Sequence, residues 1–285
     1  MTAYLLALTS AALYGAADFL GGLASRRAST IAIVLVSQAA GLLPLALLLL
    51  VLPGTPSRGD FIWGTVAGLA GSVGVALLYR ALAIGTMSIV APTTAVCAVM
   101  LPVLVEAVRG ERLAPLTQGG IALAIVAIVL VSQHDAPPAG DRQSPPRVLP
   151  AGIALAFVSG VAIGLFFLAL ARTSAVAGLW PLLPSRGLSI VVFGAIAAAG
   201  SQPLRVERSV LKTAVACGVV DMLANALYLL ASRGGPLSVI VTLASLYPAS
   251  TVVLARAIVG ERLSRRQTLG IGCALVAVVV IVGGA

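Results

Sequence analysis

Long apolar runs follow one another along the chain, and polar or charged residues are concentrated in the short segments between them. Each run ends at arginine, proline, glycine or an acidic cluster. A bilayer core about 30 Å thick needs about 20 apolar residues per helix, and on this criterion we predict about ten membrane spans. The predicted spans are residues 3–24, 29–52, 60–84, 87–109, 115–133, 149–172, 178–199, 208–232, 236–258 and 266–284.

These runs predict α-helices rather than the strands of a membrane barrel. Barrel strands alternate apolar and polar residues over about ten positions, and these runs do not alternate. A helix, in contrast, satisfies its own backbone hydrogen bonds in lipid. The first run has no basic leader and is too long for a signal-peptide core, so we expect it to be retained. The expected fold class is an all-α integral membrane protein.

Composition narrows the class of function. The chain is 60% hydrophobic and 9% charged, whereas an average soluble domain has roughly 25% charged residues. The net charge is +9, but no basic stripe with interleaved aromatics is available to bind nucleic acid. Cys97, Cys217 and Cys273 fall within spans without metal-ligand spacing, so we expect small buried residues there. We expect a multi-pass protein of the cell membrane whose partners are lipid and a small molecule, with no nucleic acid, metal or cofactor.

The tetrad GERL occurs at residues 110–113 and again at residues 260–263. Sliding the chain by 150 residues aligns SIVAPTTAVCAVMLPVLVEAVRGERL with SVIVTLASLYPASTVVLARAIVGERL. The match continues upstream, where Gly68 falls on Gly218. We therefore predict two repeats of five spans each, joined by a polar, proline-rich linker. The repeats are residues 1–133 and 149–285, and the linker is residues 134–148.

Five spans in each half make the second repeat enter the membrane from the opposite side. Inverted repeats are the architecture of many secondary transporters, because two similar halves can exchange conformations and open a central site to either side. The repeat thus predicts alternating access around a central cavity. Locally, Gly110 and Gly260 can adopt the left-handed conformation that ends a helix. Glu111 and Glu261 stand ahead of the next helix, whose dipole favours a carboxylate, so we interpret GERL as a tight connector.

The chain resembles the EamA family of the drug/metabolite transporter superfamily. The resemblance rests on the paired hairpins that end in GERL, on the stretch ALYGAADFLGGLASRR at residues 12–27, and on the predicted ten spans in 285 residues. It implies a basket of ten helices in which the first four helices of each half line a central cavity and the fifth and tenth lie at the periphery. Similar proteins move amino acids, nucleosides, sugars and other metabolites, many of them coupled to the proton gradient.

Polar residues inside spans are the candidates for a site, since an intramembrane charge costs several kcal/mol unless it faces a cavity or a partner. Asp18 lies one helical turn after Tyr14 in the first span. Asp221, Asn225 and Tyr228 follow one another at helical spacing in the eighth span and share one face. We interpret both groups as cavity lining.

Each charged candidate has two interpretations. A carboxylate in a low-dielectric cavity can bind and release a proton near neutral pH, which makes Asp221 and Asp18 candidates for a coupling site. Alternatively, each is held in a permanent ion pair or hydrogen bond, and Arg186 in the seventh span is an available partner. Arg186 could instead bind the carboxylate or phosphate of a substrate in two-point contact. It could also extend toward the lipid headgroups at the start of its span.

A further group of residues is interpreted as gating or structural. Glu106 and Arg256 occupy corresponding positions of the two repeats, but inversion would place them on opposite sides of the membrane. Glu106 is therefore expected to pair with Arg109, three residues away. Prolines kink helices and free backbone carbonyls, so the fourth and ninth spans could bend as gates. These prolines are Pro92, Pro102 and Pro248.

The orientation of the chain stays open at the level of sequence. The family resemblance implies cytoplasmic termini, whereas the positive-inside rule prefers the reverse. The reason is that basic residues are concentrated in the first, central, seventh and last loops, which would then face outward. They include Arg26, Arg27, Arg142, Arg147, Arg205, Arg208, Lys212, Arg262, Arg265 and Arg266.

These features together predict a secondary active transporter, expected to be a proton-linked exporter of a small metabolite or amino-acid-like compound. A passive facilitator or channel is the alternative. An enzyme is not expected, because the single histidine, His134, lies in the linker and no catalytic cluster is evident. No Walker sequence indicates ATP as the energy source. Several aromatic residues could either line the cavity or anchor the chain at the interface: Tyr14, Phe19, Trp180, Tyr228 and Tyr247.

Overall fold

The computed structural model describes residues 1–131, 152–200, 206–260 and 264–283, and every regular element in these ranges is a helix. The all-α prediction is therefore confirmed. The α-helices are α1 (Thr2–Ser25), α2 (Thr30–Ala40), α3 (Leu42–Val51), α4 (Arg58–Ile84), α5 (Met87–Val108), α6 (Pro115–Val131), α7 (Ile153–Ala171), α8 (Leu182–Ala199), α9 (Arg208–Ala231), α10 (Leu237–Ala244), α11 (Tyr247–Leu254) and α12 (Arg265–Gly283). A 3-10 turn (Ala175–Ala177) precedes α8, and a π-helical turn (Ala255–Val259) follows α11.

Within the described ranges, eight helical segments are long and apolar enough to cross a membrane. Two of these are composite, Thr30–Val51 from α2 and α3 and Leu237–Val259 from α10, α11 and the π-helical turn. The fifth and tenth predicted spans contain shorter apolar helices, Pro115–Leu130 and Thr268–Ile281. The chain is thus a multi-pass integral membrane protein, and each predicted run contains an apolar helix.

The second run is interrupted at Gly41 because of the proline three residues later. Pro44 lacks the N–H group that would bond to the carbonyl of Ala40. Gly41 lies where α2 and α3 approach α9, and a Cβ atom there would stand 3.0 Å from the carbonyl oxygen of Gly218. The interruption thus occurs at a helix contact that a larger residue would push apart.

Prolines act differently in the fourth and ninth runs. The ninth run breaks between α10 and α11, and Pro248 stands in the first turn of α11. In contrast, α5 is one continuous helix that includes both Pro92 and Pro102. The two repeats therefore differ in shape at equivalent places, and the interruption is found only in the second of these two runs.

The two halves interlock through equivalent helix pairs. In one set of contacts α1 packs against α9, and in the equivalent set α7 packs against α4. Likewise α5 packs against α7, and its equivalents in the second half, α10 and α11, pack against α1. The pairs α2 with α8 and α6 with α12 each join equivalent helices of the two halves. Exchanging the halves therefore preserves the packing, and most of the large contacts run between halves.

Two glycines at equivalent repeat positions permit close approaches between helices of the two halves. A Cβ atom on Gly68 of α4 would stand 2.6 Å from the carbonyl oxygen of Ser185 in α8, and one on Gly218 of α9 would stand 2.0 Å from that of Ser37 in α2. Only glycine fits at such distances. The residues that follow these serines are Gln38 and Arg186, so the same packing brings both to the centre of the molecule.

The GERL connectors agree with the sequence interpretation in one respect and differ in another. Gly110 and Gly260 have φ values of +86° and +77°, the left-handed conformation that favours glycine. The Glu111 carboxylate, however, accepts a hydrogen bond from Ser238 in the first turn of α10, rather than serving the helix that follows it. The first connector therefore links the two halves. Glu261 lies outside the described residues.

Candidate functional site

A cavity of about 60 Å³ lies at mid-height between the two halves, and five of the six cavity residues expected from the sequence line it. Its polar lining comes from α1, α2, α8 and α9. This lining comprises Tyr14, Asp18, Gln38, Ser185, Arg186, Ser189, Asp221 and Asn225, with Ser72 of α4 and Tyr247 of α11 completing the polar set.

Arg186 is the centre of the polar lining. Its side chain is buried, with Nη1 donating to Oε1 of Gln38 and Nη2 donating to Oδ2 of Asp221. The second contact is an ion pair between α8 and α9. Because the guanidinium has two partners, it is compensated in charge and in hydrogen bonding. Arg186 thus forms the ion pair that the sequence left as one of its alternatives.

Asn225 extends the network to α1. Its Nδ2 donates to the backbone oxygen of Asp221 at 2.7 Å, and its Oδ1 accepts a hydrogen bond from the Tyr14 hydroxyl at 2.9 Å. Tyr14 is itself buried and stands edge-on to Phe167, with 6.0 Å between ring centroids. These contacts give Tyr14 and Asn225 fixed positions in the cavity wall.

Three polar groups in the cavity have no partner. Asp18 is 7% exposed and forms no hydrogen bond or ion pair with any residue of the described part of the chain. In the same ranges the Ser189 and Tyr247 hydroxyls are buried without a hydrogen-bond partner. A buried polar group without a partner is costly, and most buried polar groups in native proteins have one. The three groups are therefore available to a bound molecule.

The opposite wall of the cavity is apolar and comes mainly from α4 and α7. Val75, Leu78, Ile163, Phe166 and Phe167 line it. Gly71 of this wall stands 150 residues before Asp221 and so occupies its repeat position. A Cβ atom on Gly71 would stand 2.9 Å from the Phe166 ring, so this position has no room for a carboxylate. The equivalent helix pairs α1–α9 and α7–α4, each drawn from both repeats, therefore contribute unequal surfaces, one polar and one apolar.

Comparison with known proteins assigns the chain to a family. The model of the EamA-like transporter family matches residues 1–133 and 150–283, almost the whole chain, as two copies. The chain belongs to the EamA-like transporter family. No curated protein sequence matches it. A solved crystal structure is similar in fold, with 18% sequence identity, coverage of 98% of this chain and 95% of the other, and a TM-score of 0.69.

One cavity candidate of this EamA protein lies behind the wall instead. Tyr228 is fully buried, its hydroxyl donates to the backbone oxygen of Phe167 at 3.2 Å, and its ring centroid lies 4.4 Å from that of Phe167. Tyr228 does not line the cavity; it supports the phenylalanine that does. Tyr228 shares the helix face of Asp221, because seven residues differ by only about 20° from two full turns. It stands about 10 Å further along α9, however, and so lies beyond the cavity.

The sequence interpretation missed Gln38 and gave Ser189 no role. A signal for Gln38 exists, since Ser37-Gln38 and Ser185-Arg186 stand at equivalent contacts of the two halves. These pairs are offset by 148 residues rather than 150, so the shift that aligns the GERL hairpins does not align them. Ser189 stands one turn after Arg186 on the same face of α8, but a serine in an apolar run gives no distinctive signal.

The residues interpreted as gating or structural lie outside the cavity. Glu106 accepts a hydrogen bond from Arg109 at 3.3 Å, which is the local pair expected from the sequence, and it also stands 4.0 Å from Arg172 of the other half. Arg256 is exposed in the π-helical turn. Neither Glu106 nor Arg256 contributes to the cavity surface.

Proposed function

We propose that this EamA protein is a secondary active transporter of the cell membrane, which exports a small amphipathic metabolite in exchange for protons by alternating access. One observation carries the proposal. Asp18 is a buried carboxylate without a hydrogen-bond or ion-pair partner among the described residues, and it lines the same cavity as Arg186, whose charge Asp221 already compensates. A carrier that exchanges a proton for a substrate needs a carboxylate that is free to bind either.

Alternating access is supported by the packing of the halves. We infer that α6 and α12 also cross the membrane, which gives ten spans and two five-span repeats of opposite orientation. Equivalent helix pairs on either side of the centre then allow the halves to exchange arrangements, so that one arrangement opens the cavity to one face and the other arrangement to the second face.

The size of the cavity supports a carrier over an open pore. Its volume of about 60 Å³ holds a few water molecules, whereas ligand sites for small molecules have volumes of roughly 300–1,000 Å³. A metabolite therefore enters only when the helices around the cavity move apart. A passive facilitator would need no linkage between that movement and a proton, and the transport experiment below separates the two.

The two carboxylates have different roles in this proposal. The sequence presented Asp221 as the first candidate for proton coupling. Because Asp221 is paired with Arg186, its charge is compensated, and we assign it to holding the guanidinium in place. Asp18 has no such compensation, so we assign the coupling proton to Asp18.

The charge and shape of the cavity indicate the chemistry of the substrate. One arginine and two carboxylates line it among the described residues, so with both carboxylates ionised the cavity has a net negative charge. Either a proton or an ammonium group on Asp18 removes that charge. The Ser189 and Tyr247 hydroxyls offer hydrogen bonds, and the phenylalanine wall accepts an apolar body. We propose a small amine or amino-acid-like compound with an apolar part.

The test is transport in proteoliposomes with a pool of amines, amino acids and related metabolites. Wild-type protein is expected to accumulate one of these compounds against its gradient when a pH gradient is imposed. The Asp18→Asn variant can bind neither a proton nor an ammonium group at this position, so it is expected to lose both accumulation and exchange of the compound. Glu207→Gln, the same chemical change at the start of α9, is the matched control.

Two outcomes would contradict the proposal. If the Asp18→Asn variant accumulates substrate with the same pH dependence as the wild type, Asp18 does not carry the proton. If wild-type protein equilibrates the substrate but never accumulates it, the protein is a facilitator.

A further inference from the structure

A carboxylate far from the cavity joins the two halves at one end of the helices. Asp60 stands in the first turn of α4, is 3% exposed, and accepts hydrogen bonds from the backbone N–H of Ser57 at 2.8 Å and from the Ser57 hydroxyl at 2.7 Å. It also accepts from the backbone N–H of Ser174 at 2.6 Å and from the Ser174 hydroxyl at 2.9 Å. Ser57 belongs to the first half and Ser174 to the second.

The bonds to Ser174 exceed what a helix start requires. The Ser57 and Asp60 side chains form a reciprocal capping box, which by itself satisfies the backbone N–H groups of Ser57 and Asp60 at the start of α4. Ser174 adds two charge-assisted hydrogen bonds across the halves to the same carboxylate. Such bonds are roughly twice as strong as neutral ones. Asp60 therefore has a second task besides capping.

Neighbouring contacts close the same end of the molecule. The backbone N–H of Thr55 donates to the oxygen of Val176 at 2.8 Å, and Nη1 of Arg233 donates to the oxygen of Ala175 at 3.1 Å. The chains approach so closely that a Cβ atom on Gly54 would stand 2.6 Å from the oxygen of Ala177. The connections α3–α4, α7–α8 and α9–α10 thus meet in one packed layer.

This layer lies on the face of the protein where α1 begins. A Cβ atom on Gly234, in the α9–α10 connection, would stand 2.9 Å from Cβ of Ala3. Helix α9 ends at this face, and because it has 24 residues its start lies at the opposite face of the protein. The starts of α4 and α9, which are equivalent in the two repeats, therefore lie at opposite faces and can be compared.

Within the described ranges, the repeat position of Asp60 near the opposite face has no carboxylate. The shift of 150 residues that relates the repeats places Val210 at the position of Asp60 and Glu207 at that of Ser57. Val210 is buried and apolar, and Glu207 accepts a hydrogen bond from Ser209 of its own helix start at 2.8 Å. Although the repeats share their packing, the described residues thus show the Asp60 contact between halves at one face and not at its repeat position.

We propose that Asp60, Ser57 and Ser174 form a one-sided latch that holds the transporter closed on the face where α1 begins. At rest the latch biases the cavity toward the opposite face, and opening toward the α1 face requires separation of Asp60 from Ser174. The inference rests on the proposed alternating-access function. It assigns the resting bias to the Asp60 contact, which lies on the same face as the Glu111–Ser238 and Glu106–Arg172 contacts between halves, and not to the symmetric packing of the halves.

The test is the accessibility of the cavity from each face. A cysteine introduced as Ser189→Cys reports cavity access to a membrane-impermeant maleimide, added to intact cells and to inside-out vesicles. The chain without this substitution has three cysteines, and its labelling gives the background rate. A tag ahead of α1 identifies the corresponding face.

The Asp60→Asn variant is expected to increase the labelling rate from the α1 face by about tenfold, since loss of the charge weakens the bonds to Ser174. Ser174→Ala leaves the capping box intact and is expected to give a smaller increase from the same face. Glu207→Gln, the matched carboxylate change at the opposite face, is expected to leave both rates unchanged.

The latch is overturned if folded Asp60→Asn and Ser174→Ala proteins are labelled from the α1 face at the same rate as the Ser189→Cys protein without either change. Equal increases from both faces would also overturn it, because these indicate a general loosening. The labelling assay does not require a known substrate. If labelling changes at one face but the transport experiment fails, the proposed exchange is rejected and the latch is retained. If transport is confirmed but labelling does not change at one face, only the latch is rejected.

Discussion

At the scale of single residues, the two cavity carboxylates are expected to respond oppositely to the same substitution. Asp221→Asn leaves the buried guanidinium of Arg186 without its counter-charge, and loss of one partner of a buried pair costs roughly 3–5 kcal/mol of unfolding free energy. Asp18→Asn removes a buried carboxylate that has no partner among the described residues, so stability is expected to stay the same or increase.

Thermal unfolding in detergent micelles checks this expectation, with each variant serving as the control for the other. The account predicts a large decrease in Tm for Asp221→Asn and no decrease for Asp18→Asn. Equal decreases would show that the two carboxylates are held alike, which would remove the basis for assigning the coupling proton to Asp18.

Sequence reasoning found most of the cavity residues but could not separate their roles. Asp18 and Asp221 are both single carboxylates within apolar runs, and nothing near them in sequence distinguishes a paired group from a free one. The distinction depends on Arg186 and Gln38, which come from two other helices. Gln38 was missed because its pairing with Arg186 depends on how α2 packs against α8, which no local pattern encodes.

At the scale of helices, glycine at position 218 is expected to control the contact between α9 and α2. A Cβ atom there would stand 2.0 Å from the backbone oxygen of Ser37, so Gly218→Ala must separate the two helices. Overpacking of this kind costs about 1–3 kcal/mol, and here it also displaces Gln38 from Arg186.

Gly194→Ala is the matched control, because a Cβ atom on Gly194 of α8 would meet no atom within 4 Å. Thermal unfolding is expected to show a decrease in Tm for Gly218→Ala and none for Gly194→Ala. A wild-type Tm for Gly218→Ala would mean that α9 does not approach α2 so closely.

The apolar pattern predicted the helices well, because run length and the position of arginine, proline and glycine directly reflect the cost of leaving backbone or charge in lipid. It did not predict where helices break. Pro44 and Pro248 accompany interruptions, whereas Pro92 and Pro102 are accommodated within α5. Whether a proline breaks a helix depends on the packing that surrounds the carbonyl it frees.

At the scale of the whole molecule, the distribution of charge predicts the orientation in the membrane. The start of α1 and the end of α12 lie on one face, since Ala3 lies beside Gly234, and Ile281 lies beside Gly120 near the start of α6. Among the described residues, most basic side chains near the helix ends lie toward the opposite face: Arg26, Arg27, Arg80, Arg208, Lys212, Arg256, Arg265 and Arg266. The positive-inside rule predicts that this basic face is cytoplasmic, and that α1 begins outside.

Labelling of a Thr2→Cys variant with an impermeant maleimide in intact cells checks the orientation. The charge rule predicts labelling from outside. Protection in intact cells, with labelling after permeabilisation, would contradict that orientation and agree with the cytoplasmic termini implied by the family resemblance.

The repeat was visible in the sequence, whereas the functional asymmetry between its copies was not. Gly71 and Asp221 occupy equivalent positions, as do Asp60 and Val210. The sequence alone does not reveal that Gly71 lies in an apolar wall of the cavity and Asp221 in a polar wall. The structure does so because α1 packs with α9 and α4 packs with α7. Duplication thus provides the exchangeable halves, and their differences provide the chemistry.

The central claim is that Asp18 exchanges a proton for substrate. Its most direct test is the pH inside proteoliposomes that contain a trapped pH-sensitive dye, measured as a transported amine is added outside at equal initial pH. The account predicts that substrate uptake by the wild-type protein drives protons out and raises the internal pH, and that the Asp18→Asn variant neither takes up the substrate nor changes the internal pH. Proton movement of equal size in both proteins would contradict it.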